Sequence, residues 1–148
     1  MSQVAVALPA HPSSASNRRA VVWGAVVGGV QAATPLVFWW LDGGVGFALG
    51  LALIASVYVG FAVSDGRVKV IAVESGVAFG FLVLAAAAIT ATPWLLVVGF
   101  AGHGAKDLWQ HRTHFVRNTR WWPPFCATVD VVVAVAIAVE IAAGLELG

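Results

Sequence analysis

Five long apolar runs, separated by short segments that carry most of the charges, dominate the pattern of this sequence. A helical run of about 20 apolar residues crosses the hydrocarbon core of a bilayer, because each residue rises about 1.5 Å and the core is about 30 Å thick. We therefore predict an all-α fold, an integral membrane bundle of about five transmembrane helices. The predicted spans cover residues 20–41, 45–64, 70–90, 94–115 and 123–145.

The composition supports a membrane protein and excludes several other classes. Of the 148 residues, 60% are hydrophobic and 10% are charged, and the mean hydropathy is +0.90. A soluble domain carries charge on about a quarter of its residues. The chain has no basic patch interleaved with aromatic residues, so we expect no nucleic-acid partner. The single cysteine, Cys126, excludes an internal disulfide and a paired-cysteine zinc site.

The basic residues indicate how the bundle is oriented. Positive residues are retained on the cytoplasmic side of a membrane, and here they fall into groups on one side of the predicted spans. We therefore place the N-terminus in the cytoplasm and the C-terminus outside, in a multi-pass protein of the cell (inner or plasma) membrane. Residues 1–19 are predicted to form a flexible cytoplasmic tail, and residues 20–148 the five-helix transmembrane domain. The groups are Arg18 and Arg19, Arg67 and Lys69, and Arg112, Arg117 and Arg120.

Glycine pairs spaced by four residues occur in three of the predicted spans. Small residues at this spacing lie on one helix face and let two helices approach closely in a membrane. Because glycine and alanine are abundant in this chain, the same spacing also arises by chance. The pairs are Gly24 and Gly28, Gly46 and Gly50, and Gly76 and Gly80.

A polar stripe on the fourth predicted helix is the most informative segment. Its members follow helical spacing at i, i+4, i+7, i+8 and i+11, so they share one face of the helix. Three of the four histidines of the chain lie in it. The stripe consists of His103, Asp107, Gln110, His111 and His114.

Polar residues on the other predicted helices lie at matching depths. Asp130 on the fifth helix is about as far from the cytoplasmic end as Asp107. Ionisable groups in membrane helices usually face the bundle interior, so we expect one polar pocket that opens toward the cytoplasm. Further residues placed in this pocket by depth are Glu74, Tyr58 and Cys126 near the level of His111, and Gln31 near the level of His103.

The residue types in this pocket predict its chemistry. Imidazole and carboxylate groups spaced by four residues can converge on a divalent metal ion, or act as general acid and base. The candidate catalytic residues are His103, Asp107, His111 and Asp130, and the candidate metal ligands are these four with Glu74. The expected pocket-lining residues are Tyr58, Gln110, His114, Cys126 and Gln31. Mutual neutralisation by Lys106, Asp107, Asp130 and Glu74 is the structural alternative.

The spacing from His103 to Asp130 resembles that of some small, functionally uncharacterised bacterial membrane proteins. Those proteins carry a histidine and an aspartate four residues apart on a late helix, then a further histidine, then a cysteine and an aspartate on the next helix. The matching residues here are His103, Asp107, His111, Cys126 and Asp130, within about the last third of the chain. The resemblance implies a helical membrane protein and no particular activity.

These observations leave three functions open. The first is a membrane-embedded enzyme acting on a lipid or isoprenoid-like substrate, with a divalent metal as its cofactor. The second is a noncatalytic accessory or scaffold subunit, whose polar cluster sets the register of the helices. The third is a proton- or ion-coupled transporter, which the absence of an inverted repeat disfavours. The expected partners are membrane lipids and a hydrophobic small-molecule substrate, with a homo-oligomer as an open alternative.

Overall fold

A computed structural model describes residues 14–117, 120–145 and 147. In this part of the chain the regular secondary structure is helical throughout, which confirms the all-α prediction. The helices are α1 (Ser14–Ala32), α2 (Thr34–Val37), α3 (Gly43–Asp65), α4 (Val68–Thr90), α5 (Trp94–Thr113) and α6 (Trp122–Ala142).

Three of these helices, α3, α4 and α6, are long and apolar enough to cross a membrane. Each holds 21 to 23 residues, which at helical rise matches the thickness of the hydrocarbon core. Large apolar side chains on these helices point outward, including Leu53, Phe79 and Val135. An outward apolar surface is stable only against lipid or another apolar partner, so the three helices give the chain the character of a membrane protein.

The first predicted span differs from the structure at both ends. Helix α1 begins at Ser14, inside the predicted tail, and ends at Ala32 instead of continuing to residue 41. Pro35 interrupts the run because it lacks a backbone N–H and its ring clashes with the preceding turn of a helix. The short helix α2 follows, with this proline in its first turn, and ends at Val37. The remainder of the predicted tail, residues 1–13, lies outside the described residues.

The helices pack mainly in three pairs, α1 with α6, α5 with α6, and α3 with α4, and α5 joins the last pair to α6. Helix α1 packs against α6, α6 against α5, and α5 against both α3 and α4. Close contact between α1 and α6 depends on glycine. A Cβ at Gly24 would lie 2.5 Å from the Phe125 carbonyl oxygen, and one at Gly28 would lie 2.9 Å from Val132 Cβ. By contrast, nothing lies within 4 Å of a Cβ built at Gly76 or Gly80, so this pair makes no helix contact within the described chain.

Two loops are tied together at one end of the bundle. Helix α3 stops at Gly66, whose φ of 77° favours glycine, and the following Arg67 pairs with Asp65. The Arg67 guanidinium also donates to the Phe115 carbonyl oxygen at 2.7 Å, and the Arg117 N–H donates to Asp65 at 2.9 Å. Hydrogen bonding to Asp65 raises the pKa of the Arg67 guanidinium above its usual range. These contacts hold the α3–α4 turn against the segment that follows α5.

Candidate metal centre

Three buried donor groups meet between α5 and α6. They are the imidazole of His103, the carboxylate of Asp107 one turn later on α5, and the carboxylate of Asp130 on α6. Each offers one atom within 4.8 Å of the atoms of the other two. His103 Nδ1 lies 2.9 Å from Asp130 Oδ2 and 3.6 Å from Asp107 Oδ2. The three residues are at most 1% exposed, so the group is closed off from bulk solvent.

Local sequence and close helix packing together build this group. The spacing of four places His103 and Asp107 on one face of α5. Gly104, next to His103, lets α6 approach, since a Cβ there would lie only 3.2 Å from Asp130 Cβ. The Phe81 ring, 5.1 Å from the imidazole between ring centroids, forms an apolar wall on the α4 side.

A second polar group lies beside the first, between α4 and α5. Lys106 Nζ pairs with Glu74 Oε2 at 2.7 Å. Gln110 Nε2 donates to Glu74 Oε1 at 2.6 Å, and Gln110 Oε1 accepts from the Val116 N–H at 3.2 Å. Both oxygens of Glu74 therefore face a donor, and the chain of contacts reaches the segment after α5.

Tyr58 on α3 connects the two groups. Lys106 Nζ lies 3.6 Å from the centroid of its ring, a cation–π geometry. The same ring is 6.0 Å from that of His103 between centroids. Its hydroxyl lies beside the Asp107 carboxylate. The hydroxyl is thus a further buried oxygen beside the three donors.

Several atoms of the three-residue group have no hydrogen-bond partner within the described residues. They are both carboxylate oxygens of Asp107, Asp130 Oδ1 and His103 Nε2. Buried polar atoms in proteins are nearly always paired, because leaving one unpaired costs about 1–3 kcal/mol. Unpaired buried atoms of this kind can bind a ligand.

Among the remaining sequence-predicted site residues, Cys126 lies beside Asp107 and Asp130, whereas the others lie elsewhere. His111 and His114, with rings 6.5 Å apart, lie at the end of α5 and outside the three-donor group. Cys126 is buried one turn before Asp130 on α6. Gln31 packs against Gly50 on α3, eight residues or about 12 Å of helix from Tyr58.

Glu74, a predicted ligand, is also outside the group and belongs to the Lys106 ion pair. The sequence predicts Lys106 only as a charge that neutralises carboxylates. Its position three residues after His103 places it next to the polar stripe, which is a local signal that it lies near the site. Gly104 and Phe81 were not predicted at all. Nothing in a single sequence shows that a glycine lies against an aspartate of another helix.

Comparison with known proteins does not add to this description. No protein-family model, no curated protein and no solved structure matches the chain. The resemblance of residues 103–130 to small bacterial membrane proteins stays a prediction, and function must be argued from the geometry.

Proposed function

We propose that the protein crosses the membrane five times, with α1 and α5 as spans beside α3, α4 and α6. The polar side chains of α5 are turned into the bundle, as expected for a membrane helix that carries ionisable groups. Helix α1 packs along α6 and presents apolar side chains outward, among them Val22, Trp23 and Val30. The distribution of basic residues supports a cytoplasmic N-terminus.

Within this bundle, His103, Asp107 and Asp130 bind a divalent transition-metal ion. The observation that carries this proposal is the convergence of three buried donors with unpaired atoms. Ligands about 2.0–2.1 Å from a tetrahedral metal lie roughly 3.3 Å from one another. The distances from His103 Nδ1, 2.9 and 3.6 Å, lie on either side of that value, and the shorter one also fits a hydrogen bond to Asp130. One imidazole with two carboxylates suits zinc, iron or manganese better than calcium or magnesium, which prefer oxygen ligands alone.

The balance of charge supports a divalent cation. Glu74, Asp107 and Asp130 are three carboxylates, and Lys106 supplies one ammonium group among them. When all four are ionised and His103 is neutral, two negative charges are left without a partner. Uncompensated charge is costly inside a membrane, so the group must bind either two protons or a cation of charge two.

The ion serves chemistry on a membrane-soluble substrate, such as a lipid or an isoprenoid-like molecule. A bound transition metal activates water or polarises a carbonyl or phosphoryl oxygen. A groove of about 400 Å³ runs along the outer surface of α5 and α6. Its lining is apolar and includes Gly104, which lies against Asp130. A hydrocarbon chain from the bilayer that lies in this groove passes next to Gly104, the residue that packs against Asp130.

A noncatalytic accessory subunit is the second candidate. The observation that favours it is that each strong polar contact joins two helices, His103 to Asp130 between α5 and α6, and Lys106 to Glu74 between α4 and α5. In that function the cluster holds the helices in register and needs no substrate.

Metal content of the detergent-purified protein tests the proposal. We expect about one divalent transition-metal ion per chain in the wild type, and at least a tenfold loss of affinity in His103→Gln and Asp130→Asn, because each change removes one of three ligands. His111→Gln is the matched control, since His111 lies on the same helix but outside the group. Absence of bound metal from both the wild type and His111→Gln contradicts the metal centre. So does a loss of metal affinity in His111→Gln that equals the loss in the other two variants.

The same variants separate the two functions. Lipid extracts of cells that express the wild type, Asp130→Asn or His111→Gln are compared by mass spectrometry. An enzyme changes the lipid or isoprenoid profile in the wild type and in His111→Gln, but not in a folded, membrane-inserted Asp130→Asn variant. Identical profiles in all three, together with a lower melting temperature of Asp130→Asn, favour the accessory subunit.

A further inference from the structure

A cavity of about 570 Å³ lies between the first half of α1 and the start of α6. It shares no lining residue with the three-donor group and plays no part in the proposed metal chemistry. Its walls are formed by Ser16, Arg19, Trp23 and Val27 from α1, and by Trp121 and Phe125 from the α6 side.

The lining changes from charged to apolar along one helix face. Arg19, Trp23 and Val27 follow one another at intervals of four residues, so they lie in one row along α1. The guanidinium is at one end, the indole in the middle and the aliphatic side chain at the other end. A phospholipid has the same order, with its phosphate, its glycerol and ester region, and its acyl chains.

The charged end of the cavity favours an anion. Arg19 is exposed, and no acidic side chain among the described residues lines the cavity. The guanidinium group binds phosphate oxygens through two parallel N–H donors. Trp121, which is 41% exposed, also lines the cavity, and tryptophan is the type of residue that concentrates at the membrane–water interface.

We infer that this cavity binds an anionic phospholipid of the cytoplasmic leaflet. Its phosphate pairs with Arg19, and one acyl chain lies along Trp23 and Val27 on α1 and Phe125 on α6. The location in the cytoplasmic leaflet rests on the proposed topology, while the binding itself is independent of the metal centre. The lipid fills the space at this end of the α1–α6 contact, where the two helices meet through Gly24.

Binding of added lipid to the purified full chain, measured by native mass spectrometry, tests the inference. We expect the wild type to retain phosphatidylglycerol in preference to phosphatidylcholine. Arg19→Gln should weaken phosphatidylglycerol binding roughly five-fold, the typical effect of one basic residue at an anionic membrane surface. Arg18→Gln is the matched control, because it removes the same charge from a neighbouring residue that does not line the cavity.

Three results would overturn the inference. The first is equal binding of the two lipids by the wild type, which needs no variant to observe. The second is an equal loss in Arg18→Gln and Arg19→Gln, which indicates a general effect of surface charge. The third is complete displacement of phosphatidylglycerol by soluble glycerol phosphate, which indicates a site for a free phosphate. We expect Trp23→Leu, which keeps the charge of Arg19, to weaken the binding of phosphatidylglycerol. Soluble glycerol phosphate should not displace the lipid from this variant.

Discussion

At the scale of single residues, two buried carboxylates have different surroundings. Both oxygens of Glu74 face donors, from Gln110 and Lys106. Asp107 is equally buried and has neither oxygen hydrogen-bonded within the described structure. Glu74 thus has the ammonium group of Lys106 at 2.7 Å, whereas the basic atom paired with Asp107, His103 Nδ1, lies at 3.6 Å. Glu74 lies outside the three-donor group.

The Lys106–Glu74 pair predicts a coupling that can be measured. Glu74→Gln leaves a buried ammonium without its carboxylate, and Lys106→Met leaves a buried carboxylate without its ammonium. We expect each change to lower the free energy of unfolding in detergent by about 1–3 kcal/mol, the usual cost of an unsatisfied buried polar group. The double variant should lose clearly less unfolding free energy than the sum of the two single losses, because it leaves neither charge unpaired.

Lys69→Met is the control for this pair, since Lys69 is an exposed lysine and its loss should change the unfolding free energy by less than about 0.5 kcal/mol. Additive losses in the Glu74 and Lys106 variants would show that the pair contributes no net coupling.

At the scale of helices, glycine spacing alone did not identify which helices pack closely. Gly24–Gly28 and Gly76–Gly80 have the same spacing, yet only the first pair lies against another helix. The first pair meets α6 through backbone and side-chain atoms, whereas α4 turns the second pair outward. Periodicity assigns residues to a face, but it contains no information about what that face contacts.

A pair of alanine substitutions tests this difference. At Gly24, a methyl group would lie 2.5 Å from the Phe125 carbonyl oxygen, so α1 and α6 must move apart. We expect Gly24→Ala to lower the free energy of unfolding by about 1–3 kcal/mol, as overpacking does. At Gly76 there is open space, and Gly76→Ala should leave stability unchanged or raise it by up to about 1 kcal/mol through helix propensity. Thermal unfolding of both variants in one detergent measures the difference, and equal effects would contradict the α1–α6 contact.

At the scale of the whole molecule, the proposed five-span topology makes opposite predictions for two turns. The α3–α4 turn should lie in the cytoplasm, and the α4–α5 turn should lie outside, because one helix separates them. After Cys126→Ala removes the single native cysteine, Lys69→Cys places an exposed thiol in the first turn of α4, beside the α3–α4 turn, and Ala91→Cys places one in the α4–α5 turn. A membrane-impermeant maleimide should label Ala91→Cys in intact cells and Lys69→Cys only after permeabilisation. Labelling of both thiols in intact cells, or the reverse pattern, contradicts the proposed orientation.

The sequence by itself determined the helical elements to within a few residues for four of the five predicted runs. Apolar length and short polar turns are local properties, and they appear in α3, α4, α5 and α6. The first run was mispredicted because hydropathy continues through Pro35, while the backbone does not continue its helix.

Only the tertiary structure decided which polar residues form one site. His103, Asp107 and His111 share a face of α5 with equal spacing, so the sequence could not choose among them. The choice depends on where α6 crosses α5, at Gly104, which brings Asp130 to His103 and Asp107 and leaves His111 outside the group. A helix crossing is set by the packing of residues far apart in the chain, and for that physical reason no local pattern predicts it.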